Sequence, residues 1–478
     1  MKILAVSPEC YPLIKTGGLA DVVGALPGAL APLDCDMRVL LPLYPAAAEN
    51  VGQCKAVHAY DDLFGGPAMI IASEAKGLKS FLLEAPHLFD RPGNPYLGAD
   101  GKEWPDNHLR FAALSKAACD IGLGLLRDWA PDIVHAHDWQ AGLAPAYLAL
   151  SGQERPKTVM TIHNLAFQGL FPAANMTALG LPITAFTPDG VEYFGSIGFL
   201  KAGLVYSDAV TTVSPTYANE IRTPELGMGL DGVLNARPHV TGILNGIDLD
   251  VWNPAEDEAI DAPYSARAPK KKAKNKEALQ QRFGLDENPD ALLACVISRL
   301  TDQKGIDLIF GVLPDFVAMG GQLALLGSGD PALEKLATDA ATEYPGQVGT
   351  VIGYDEALSH RIQAGADMIL IPSRFEPCGL TQLIGLRYGT LPLVSRTGGL
   401  ADTVIDANEA AVQAGVATGF QFAPTTADAL RFALERAVGL YRRSDIWRIM
   451  QKHAMAQDVG WQASAQRYMA LYESLQGS

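Results

Sequence analysis

Two cations flank a short turn in the second half of the chain, where residues 298–305 read SRLTDQKG. An apolar run ends at Arg299, and a helix-like stretch begins at Lys304. Five positions apart, these side chains can hold a diphosphate from two sides, and an ion pair at ~4 Å is worth about 1–4 kcal/mol depending on screening. The alternative is an exposed arginine and lysine in a loop, and the spacing alone favours neither.

A second loop, SRFEPCGLT at residues 373–381, offers a carboxylate followed by backbone amides. Glu376 can accept hydrogen bonds from vicinal sugar hydroxyls. The N–H groups of Cys378, Gly379, Leu380 and Thr381 precede a helix-like stretch and can bind a hydroxyl or a phosphate. The alternative is a glutamate that caps a helix. The neighbouring proline and glycine favour a fixed, exposed backbone instead.

One motif occurs twice, as KTGGLADVV at residues 15–23 and as RTGGLADTV at residues 396–404. Each copy predicts a strand, a glycine turn and a helix N-terminus beside a cation. Such a turn suits an anion, because the glycine backbone comes close and the N–H groups and helix dipole favour negative charge. We assign Lys15, Gly18 and Asp21 of the first copy, with Thr397 and Gly398 of the second, to ligand binding.

The segment VHAHDW at residues 134–139 suggests a metal site, because His135 and His137 point to one side of a strand. Asp138, His163 and Glu9 could complete such a site. We prefer hydrogen-bonded core histidines, since a metal site needs further ligands and outer partners. The sequence therefore predicts no metal.

A further strand end, TIHN at residues 161–164, places His163 where it could lie beside a reacting centre, and Asn164 where it could bind a hydroxyl. Tyr96 and Trp139 offer flat apolar surfaces for a sugar ring, although such aromatic side chains more often belong to the core.

Short apolar runs that alternate with helical stretches predict two doubly wound α/β domains of Rossmann type, with parallel sheets covered on both faces. The ligand is expected beyond the carboxyl ends of the strands, with the two domains facing each other across it. Residues 65–85 predict a β-hairpin or a meander, and residues 90–106 predict a loop. The predicted strands are Lys2–Ser7, Met37–Leu43, Ile133–His137, Thr158–His163, Ala209–Ser214 and Val240–Asn245 in the first half, and Leu292–Ser298, Gln322–Leu326, Val348–Gly353, Asp367–Pro372 and Leu391–Ser395 in the second.

The predicted domains are residues 1–250 and 251–457, followed by a helix at residues 458–478 that packs back on the first domain. Prolines and a lysine run at residues 270–276 mark the linker. We expect this run to face water, as lysine runs usually do.

Composition excludes several classes of protein. The formal charge of −16 over 478 residues argues against a general nucleic-acid binder. The six scattered cysteines form no Cys-x-x-Cys pair, which favours a reducing cytosol over a disulfide or zinc framework. No signal peptide and no run of 18 apolar residues is evident, so a cytoplasmic protein without a membrane partner is expected.

Taken in order, these motifs resemble the bacterial glycogen synthases and plant starch synthases, which are retaining glycosyltransferases with the GT-B fold that use ADP-glucose. The resemblance runs nearly end to end and includes the segment NGID at residues 245–248. It implies that Arg299 and Lys304 hold the pyrophosphate and stabilise the departing ADP. It also implies that Glu376 binds glucose hydroxyls, with Cys378 and Gly379 nearby.

The resemblance implies roles for other residues as well. Lys15 and Gly18 would belong to the donor-binding loop, and His163 and Asp138 would lie beside the transferred glucose. Contacts with glucose or glucan would come from Asn245, Asn164 and Tyr96. Tyr354 would flank the adenine.

The family pattern also bears on mechanism. Many relatives with this fold carry a second glutamate eight positions after the first, where this chain has Ile384. Retaining glycosidases place two carboxylates across the bond, and Asp138 is the sole candidate partner here. The resemblance implies a front-face transfer in which the departing diphosphate accepts the proton of the incoming 4-hydroxyl group.

Three other functions remain open: a glucosyltransferase with UDP-glucose or another acceptor, a metal-dependent hydrolase, and a non-catalytic sugar-nucleotide or glucan-binding regulator. A dehydrogenase is excluded, because neither glycine turn completes Gly-x-Gly-x-x-Gly after a strand. ADP-glucose and an α-1,4-glucan are the expected partners. No feature predicts an oligomeric state.

Overall fold

The computed structural model describes residues 1–98 and 101–477. The chain forms two compact units, one of residues 1–245 with the segment from 461 on, the other of residues 246–460. The first division lies five residues before the position expected from sequence, and the second lies three residues after.

The first unit is built on a large central sheet and a small separate one. Its strands are β1 (Lys2–Val6), β2 (Asp36–Pro42), β3 (Gln53–Tyr60), β4 (Ala68–Ala75), β5 (Leu78–Glu84), β6 (Ile133–His137), β7 (Lys157–Ile162), β8 (Leu170–Pro172), β9 (Glu192–Tyr193), β10 (Ser196–Gly198), β11 (Ala209–Thr212) and β12 (Val240–Gly242). Nine of them form the large sheet in the order β12-β11-β7-β6-β1-β2-β5-β4-β3. Its central strands are parallel and almost wholly buried, as continuous apolar runs require. The small sheet is antiparallel, in the order β8-β10-β9.

The large sheet is mixed, which corrects the expectation of a purely parallel one. The predicted hairpin forms as β4 and β5, and β3 adds an antiparallel edge strand that the sequence analysis missed. Most of β3 is exposed, because an edge strand has a neighbour on one side only. Its sequence, QCKAVHAY, therefore lacks the apolar run that marks a buried strand.

Helices cover this sheet, and the last of them comes from the end of the chain. In that helix Tyr468 and Tyr472 are fully buried in the core of the first unit. The helices of the unit are α1 (Gly18–Leu30), α2 (Pro45–Ala48), α3 (Pro86–Phe89), α4 (Asn107–Gly122), α5 (Leu143–Leu150), α6 (Phe199–Tyr206), α7 (Pro215–Glu220), α8 (Asp231–Ala236) and, after the second unit, α18 (Gln462–Gln476).

The second unit contains a single, fully parallel sheet. Its strands are β13 (Leu293–Ile297), β14 (Gln322–Gly327), β15 (Val348–Ile352), β16 (Met368–Ile371), β17 (Leu391–Ser395) and β18 (Phe420–Phe422). They lie in the order β15-β14-β13-β16-β17-β18. The strand order reverses between β13 and β16, which makes their carboxyl ends the expected ligand position. β18 was not predicted, because a strand of only three residues leaves little apolar signal in the sequence.

The lysine run at residues 270–276 leads into a helix and faces water only in part: Lys270, Lys271 and Lys274 are exposed, as expected, but two other members of the run are not. Lys272 and Lys276 are buried. Protein oxygens take the place of water around each amino group. Lys272 Nζ donates to the carbonyls of Gln363 and Ala364, and Lys276 Nζ lies 2.8 Å from Asp367 Oδ2. The helices of this unit are α9 (Lys272–Phe283), α10 (Ile306–Ala318), α11 (Pro331–Glu343), α12 (Glu356–Gly365), α13 (Thr381–Tyr388), α14 (Gly398–Thr403), α15 (Glu409–Gln413), α16 (Ala427–Tyr441) and α17 (Ser444–Met455).

Across the described parts of the chain, no helix combines the length and the apolar character needed to cross a membrane.

Candidate active site

The predicted ligand residues of the second unit lie along one edge of its sheet. Tyr354 follows β15, Arg299 follows β13, Glu376 follows β16 and Thr397 follows β17. Because all four strands belong to one parallel sheet, their carboxyl ends share this edge. The structure thus places on one edge of the sheet the residues that were predicted to bind the diphosphate, the glucose and the adenine.

The loops after β13 and β16 are fastened to each other. The backbone N–H of Arg374 donates to the carbonyl of Gln303 at 2.8 Å. Gly305 has a positive φ of 63°, and a Cβ there would lie 2.1 Å from the carbonyl oxygen of Pro372. Only glycine permits this close approach, which sets Lys304 against the end of β16.

Lys304 and Glu376 form the centre of this edge. Lys304 Nζ donates to Glu376 Oε2 at 2.5 Å, and Ser373 Oγ donates to the same oxygen at 3.0 Å. Glu376 is 6% exposed, so its carboxylate is held by two donors away from bulk water. The sequence predicted both residues of the ion pair but gave no sign that they touch.

The second glycine turn packs directly on this centre. The N–H of Gly399 donates to the carbonyl of Glu376 at 3.1 Å. A Cβ on Gly398 would lie 1.9 Å from the same carbonyl oxygen. Thr397 and Gly398 are therefore buried parts of the wall that fixes Glu376.

Two predicted groups at this edge are open to solvent. Arg299 is exposed, and its guanidinium group has no ion pair within the described residues. The side chain of Tyr354 is 77% exposed, and its hydroxyl group lies against the carboxylate of Glu356. Arg396, which the sequence analysis did not assign, is a further exposed cation beside the second glycine turn.

In the first unit, Glu9 organises the loop that carries Lys15. Its Oε2 accepts hydrogen bonds from the N–H of Thr16 at 2.5 Å and the hydroxyl of Thr16 at 2.8 Å. Its Oε1 accepts from the Tyr96 hydroxyl at 2.9 Å. Burial raises the pKa of Glu9 above its usual value. From sequence, this carboxylate was expected only as a possible metal ligand.

The first glycine turn differs from the second in two ways. It does not follow its strand directly, since β1 ends at Val6 and the loop 7–17 intervenes before α1. Lys15 Nζ is also paired with Asp21 Oδ1 at 2.9 Å, which makes Asp21 the partner of the predicted ligand cation. Gly18 begins α1, as expected.

Asp138 and His163 meet where β6 and β7 end. Asp138 Oδ1 accepts from the backbone N–H of His163 at 2.7 Å and, more weakly, from that of Asn164 at 3.4 Å. Asp138 has a positive φ of 57°, an uncommon conformation that turns its backbone out of the strand. Burial raises the pKa of Asp138 to about 7.

The histidines near these residues form hydrogen bonds rather than a metal cluster. His135 uses both ring nitrogens, with Tyr472 Oη at 2.8 Å and Thr161 Oγ1 at 2.6 Å. His137 Nδ1 lies 2.9 Å from His163 Nε2. Over residues 1–98 and 101–477, no group of three or more His, Cys, Asp or Glu side chains is arranged to hold a metal ion.

Trp139 was expected to offer a flat surface to a sugar ring. In the structure the residue is only 6% exposed and belongs to the core of the first unit, which corrects that prediction. It packs edge-on against Phe111, with ring centroids 5.0 Å apart, and near Phe171. Two of the other predicted sugar contacts are asparagines. Asn164 is half-buried, and the buried Asn245 has an Oδ1 without a hydrogen-bond partner among the described residues.

Two doubly wound α/β units with polar groups at the carboxyl ends of their parallel strands define a glycosyltransferase with the GT-B fold. Residues 2–236 match the family model described as starch synthase catalytic domain. Residues 277–447 match the model described as glycosyl transferases group 1.

The chain is also similar to individual proteins over its full length. It is 58% identical to a glycogen synthase of Rhodopseudomonas palustris (strain HaA2), covering 99% of this chain and 98% of that protein. It is 56% identical to a glycogen synthase of Roseobacter denitrificans, covering 100% of both. The catalytic domain of starch synthase IV from Arabidopsis thaliana, solved with ADP and acarbose, superimposes with a TM-score of 0.89 at 34% identity, covering 100% of this chain and 99% of that one. The chain belongs to the family of bacterial glycogen synthases and plant starch synthases.

Proposed function

We propose that this protein transfers glucose from ADP-glucose to the non-reducing 4-hydroxyl end of an α-1,4-glucan, with retention of configuration and release of ADP. The observation that carries the proposal is the Lys304–Glu376 pair at the point where the strand order of the second unit reverses. A cation for a diphosphate and a carboxylate for sugar hydroxyls stand side by side there. Similarity to a starch synthase solved with ADP and acarbose supports the choice of ligands.

In this proposal the departing diphosphate is stabilised by positive charge. Arg299 is exposed and unpaired within the described residues, so it can turn to a phosphate without breaking an ion pair. Lys304 would share its charge between Glu376 and the ligand. Preorganised charge of this kind stabilises a leaving group because little reorganisation is needed during the reaction.

Glu376 would orient the glucose rather than attack it. Its Oε2 already accepts two hydrogen bonds, while Oε1 accepts none from the described residues. A sugar hydroxyl donating to this carboxylate would fix the ring. The resemblance to the family implies a front-face transfer, in which the diphosphate oxygen accepts the proton of the incoming hydroxyl, and Ile384 offers no second carboxylate for another route.

Asp138, His163 and Lys15 supply the proposed contacts of the first unit. Asp138 holds the backbone of His163 and would keep that ring beside the transferred glucose. Lys15 would exchange its partly exposed ion pair with Asp21 for the donor phosphate. Such an exchange is inexpensive, since exposed ion pairs contribute about 0–1 kcal/mol.

The test is release of ADP from ADP-glucose with and without glycogen. We expect release that depends on glycogen, newly added glucose in α-linkage by NMR, and slower turnover with UDP-glucose. Faster turnover with UDP-glucose would mean that UDP-glucose, and not ADP-glucose, is the donor. Release that is independent of glycogen, or no release from either nucleotide sugar, would refute the proposal.

The absence of a metal requirement is a separate part of the proposal. We expect activity to survive dialysis against EDTA, because cations of the protein take the place of a metal ion on the diphosphate. Loss of activity that one divalent ion restores would contradict this part and leave the transfer reaction in place.

A further inference from the structure

The buried side chain of Gln382 lies beneath the loop that carries the predicted phosphate-binding amides. Gln382 is fully buried in the first turn of α13. Its Nε2 donates to the carbonyl of Cys378 at 2.9 Å and to the carbonyl of Gly379 at 3.0 Å. The amide orientation follows from this network, because the reverse assignment would set Oε1 against two carbonyl oxygens.

These two hydrogen bonds determine where the next two N–H groups point. In a trans peptide unit, the C=O and the following N–H point in opposite directions. Both carbonyls converge on Gln382, so the N–H groups of Gly379 and Leu380 point away from it. Gly379 adopts a φ of +75°, which allows the chain to turn so that successive carbonyls share one donor.

The N–H groups of this loop are available to a ligand. Neither Gly379 nor Leu380 donates a backbone hydrogen bond within the described residues. Thr381 is the first residue of α13, whose N–H has no intrahelical acceptor. All three residues are half-buried, on the accessible side of the loop, whereas Gln382 lies beneath it.

We propose that Gln382 is a positioning residue for the diphosphate: by holding the carbonyls of Cys378 and Gly379 from below, it aims the N–H groups of Gly379 and Leu380 at phosphate oxygens. This inference rests on the proposed function for the identity of the ligand. Gln382 itself does not touch the ligand. Its effect is on the direction of the backbone dipoles that do, and a turn of successive N–H groups is a known form of anion site.

The test compares Gln382→Met with Gln280→Met. Methionine keeps the length of the side chain and removes the donor. Gln280 is the matched control, because it is also buried in the second unit and its Nε2 also donates to a backbone carbonyl, that of Asn288 at 2.9 Å. Dissociation constants are measured for inorganic pyrophosphate, ADP and a maltooligosaccharide, together with the thermal midpoint of each variant.

We expect Gln382→Met to weaken the binding of pyrophosphate and of ADP by a similar factor, roughly 10-fold or more. The reason is that the N–H groups of Gly379 and Leu380 would no longer point at the charged phosphate oxygens, so their hydrogen bonds to the ligand would be lost. Maltooligosaccharide binding should not change, and Gln280→Met should bind all three ligands as the parent protein does. Unchanged pyrophosphate binding in Gln382→Met overturns the inference. So does an equal loss for all three ligands, which would indicate a general structural role.

Should Gln382→Met fail to fold, Gln382→Leu takes its place. Leucine also removes the donor that holds the two carbonyls, and the same selective loss of diphosphate binding is expected. If glucosyl transfer is not observed but the pyrophosphate effect is, the inference about Gln382 stands and the proposed function fails. If transfer is normal and pyrophosphate binding is unaffected, the proposed function stands and the inference fails.

Discussion

Lys304 Nζ and Glu376 Oε2 lie 2.5 Å apart, although 72 residues separate them in the chain. The pair joins the two loops on either side of the reversal in strand order. It therefore links the proposed phosphate contact to the proposed sugar contact in one short interaction. Removing either side chain leaves the other with an unpaired charge in a largely buried position.

Lys304→Ala is expected to lower kcat by about 100-fold or more, because one preorganised charge on the leaving group is lost. Glucan affinity should stay nearly constant. ADP release and maltooligosaccharide binding are the measurements. Lys335→Ala is the control, since that lysine is exposed and paired only with Asp339 among the described residues. Equal loss of turnover and glucan affinity in Lys304→Ala would indicate misfolding or a role in glucan binding.

Gly398→Ala is expected to lower kcat/KM for the donor by about 100-fold, because a Cβ 1.9 Å from the Glu376 carbonyl oxygen must displace that loop. Gly439→Ala is the matched control. Nothing lies within 4 Å of a Cβ built there, inside α16, so activity should be unchanged and stability should rise by about 0.5–1 kcal/mol. Full activity in Gly398→Ala would contradict the prediction and show that the turn can accept a Cβ without moving Glu376.

Asp138→Asn tests the raised pKa of the buried carboxyl group, which is about 7. The folded protein holds the proton more tightly than the unfolded chain, whose aspartates titrate near pH 3.9. Stability from this group is therefore greatest below pH 4 and is lost as the pH rises to about 7. Relative to the parent protein, Asp138→Asn should gain ~2 kcal/mol between pH 5 and pH 8.

Urea unfolding of both proteins at pH 5 and pH 8 measures this gain. Asparagine can still accept the hydrogen bond from the N–H of His163, so the comparison isolates the charge. A stability difference that does not vary with pH would mean that Asp138 titrates normally.

Lys276→Ala is expected to destabilise the protein by about 3–5 kcal/mol, because Asp367 is left without its cation in a buried position. Lys274→Ala, two positions earlier on an exposed part of the same helix, should change stability by no more than about 0.5 kcal/mol. Chemical unfolding of both variants measures the contrast. Similar small effects would support the original expectation of a solvated lysine run.

Much of the fold could be predicted because buried parallel strands leave a plain signal. Ile133–His137 and Leu391–Ser395 occur at the predicted bounds. β3 was missed because an exposed edge strand needs no apolar run. The burial of Lys272 and Lys276 was not predicted. The composition of a lysine run does not show which amino groups will be bonded by oxygens of other segments, such as the carbonyls of α12.

The candidate site residues could be picked out as motifs, but their contacts with one another could not be predicted. Spacing marked Lys304 and Glu376 but could not show the ion pair, since it depends on how two distant loops pack. Trp139 was assigned to a ligand because an aromatic ring after a strand looks alike in a core and in a binding site. Gln382 and Glu9 act through the backbone of their neighbours, and such a role has no residue pattern.

The C-terminal helix carries a consequence for synthesis on the ribosome. Tyr468 and Tyr472 fill the interior of the unit that contains the N-terminus, and Tyr472 bonds His135. A nascent chain of 460 residues already holds every segment of the second unit but not these tyrosines. The part of the protein made first is thus the part completed last, and a chain released before its final turns of helix would leave an apolar cavity open to water.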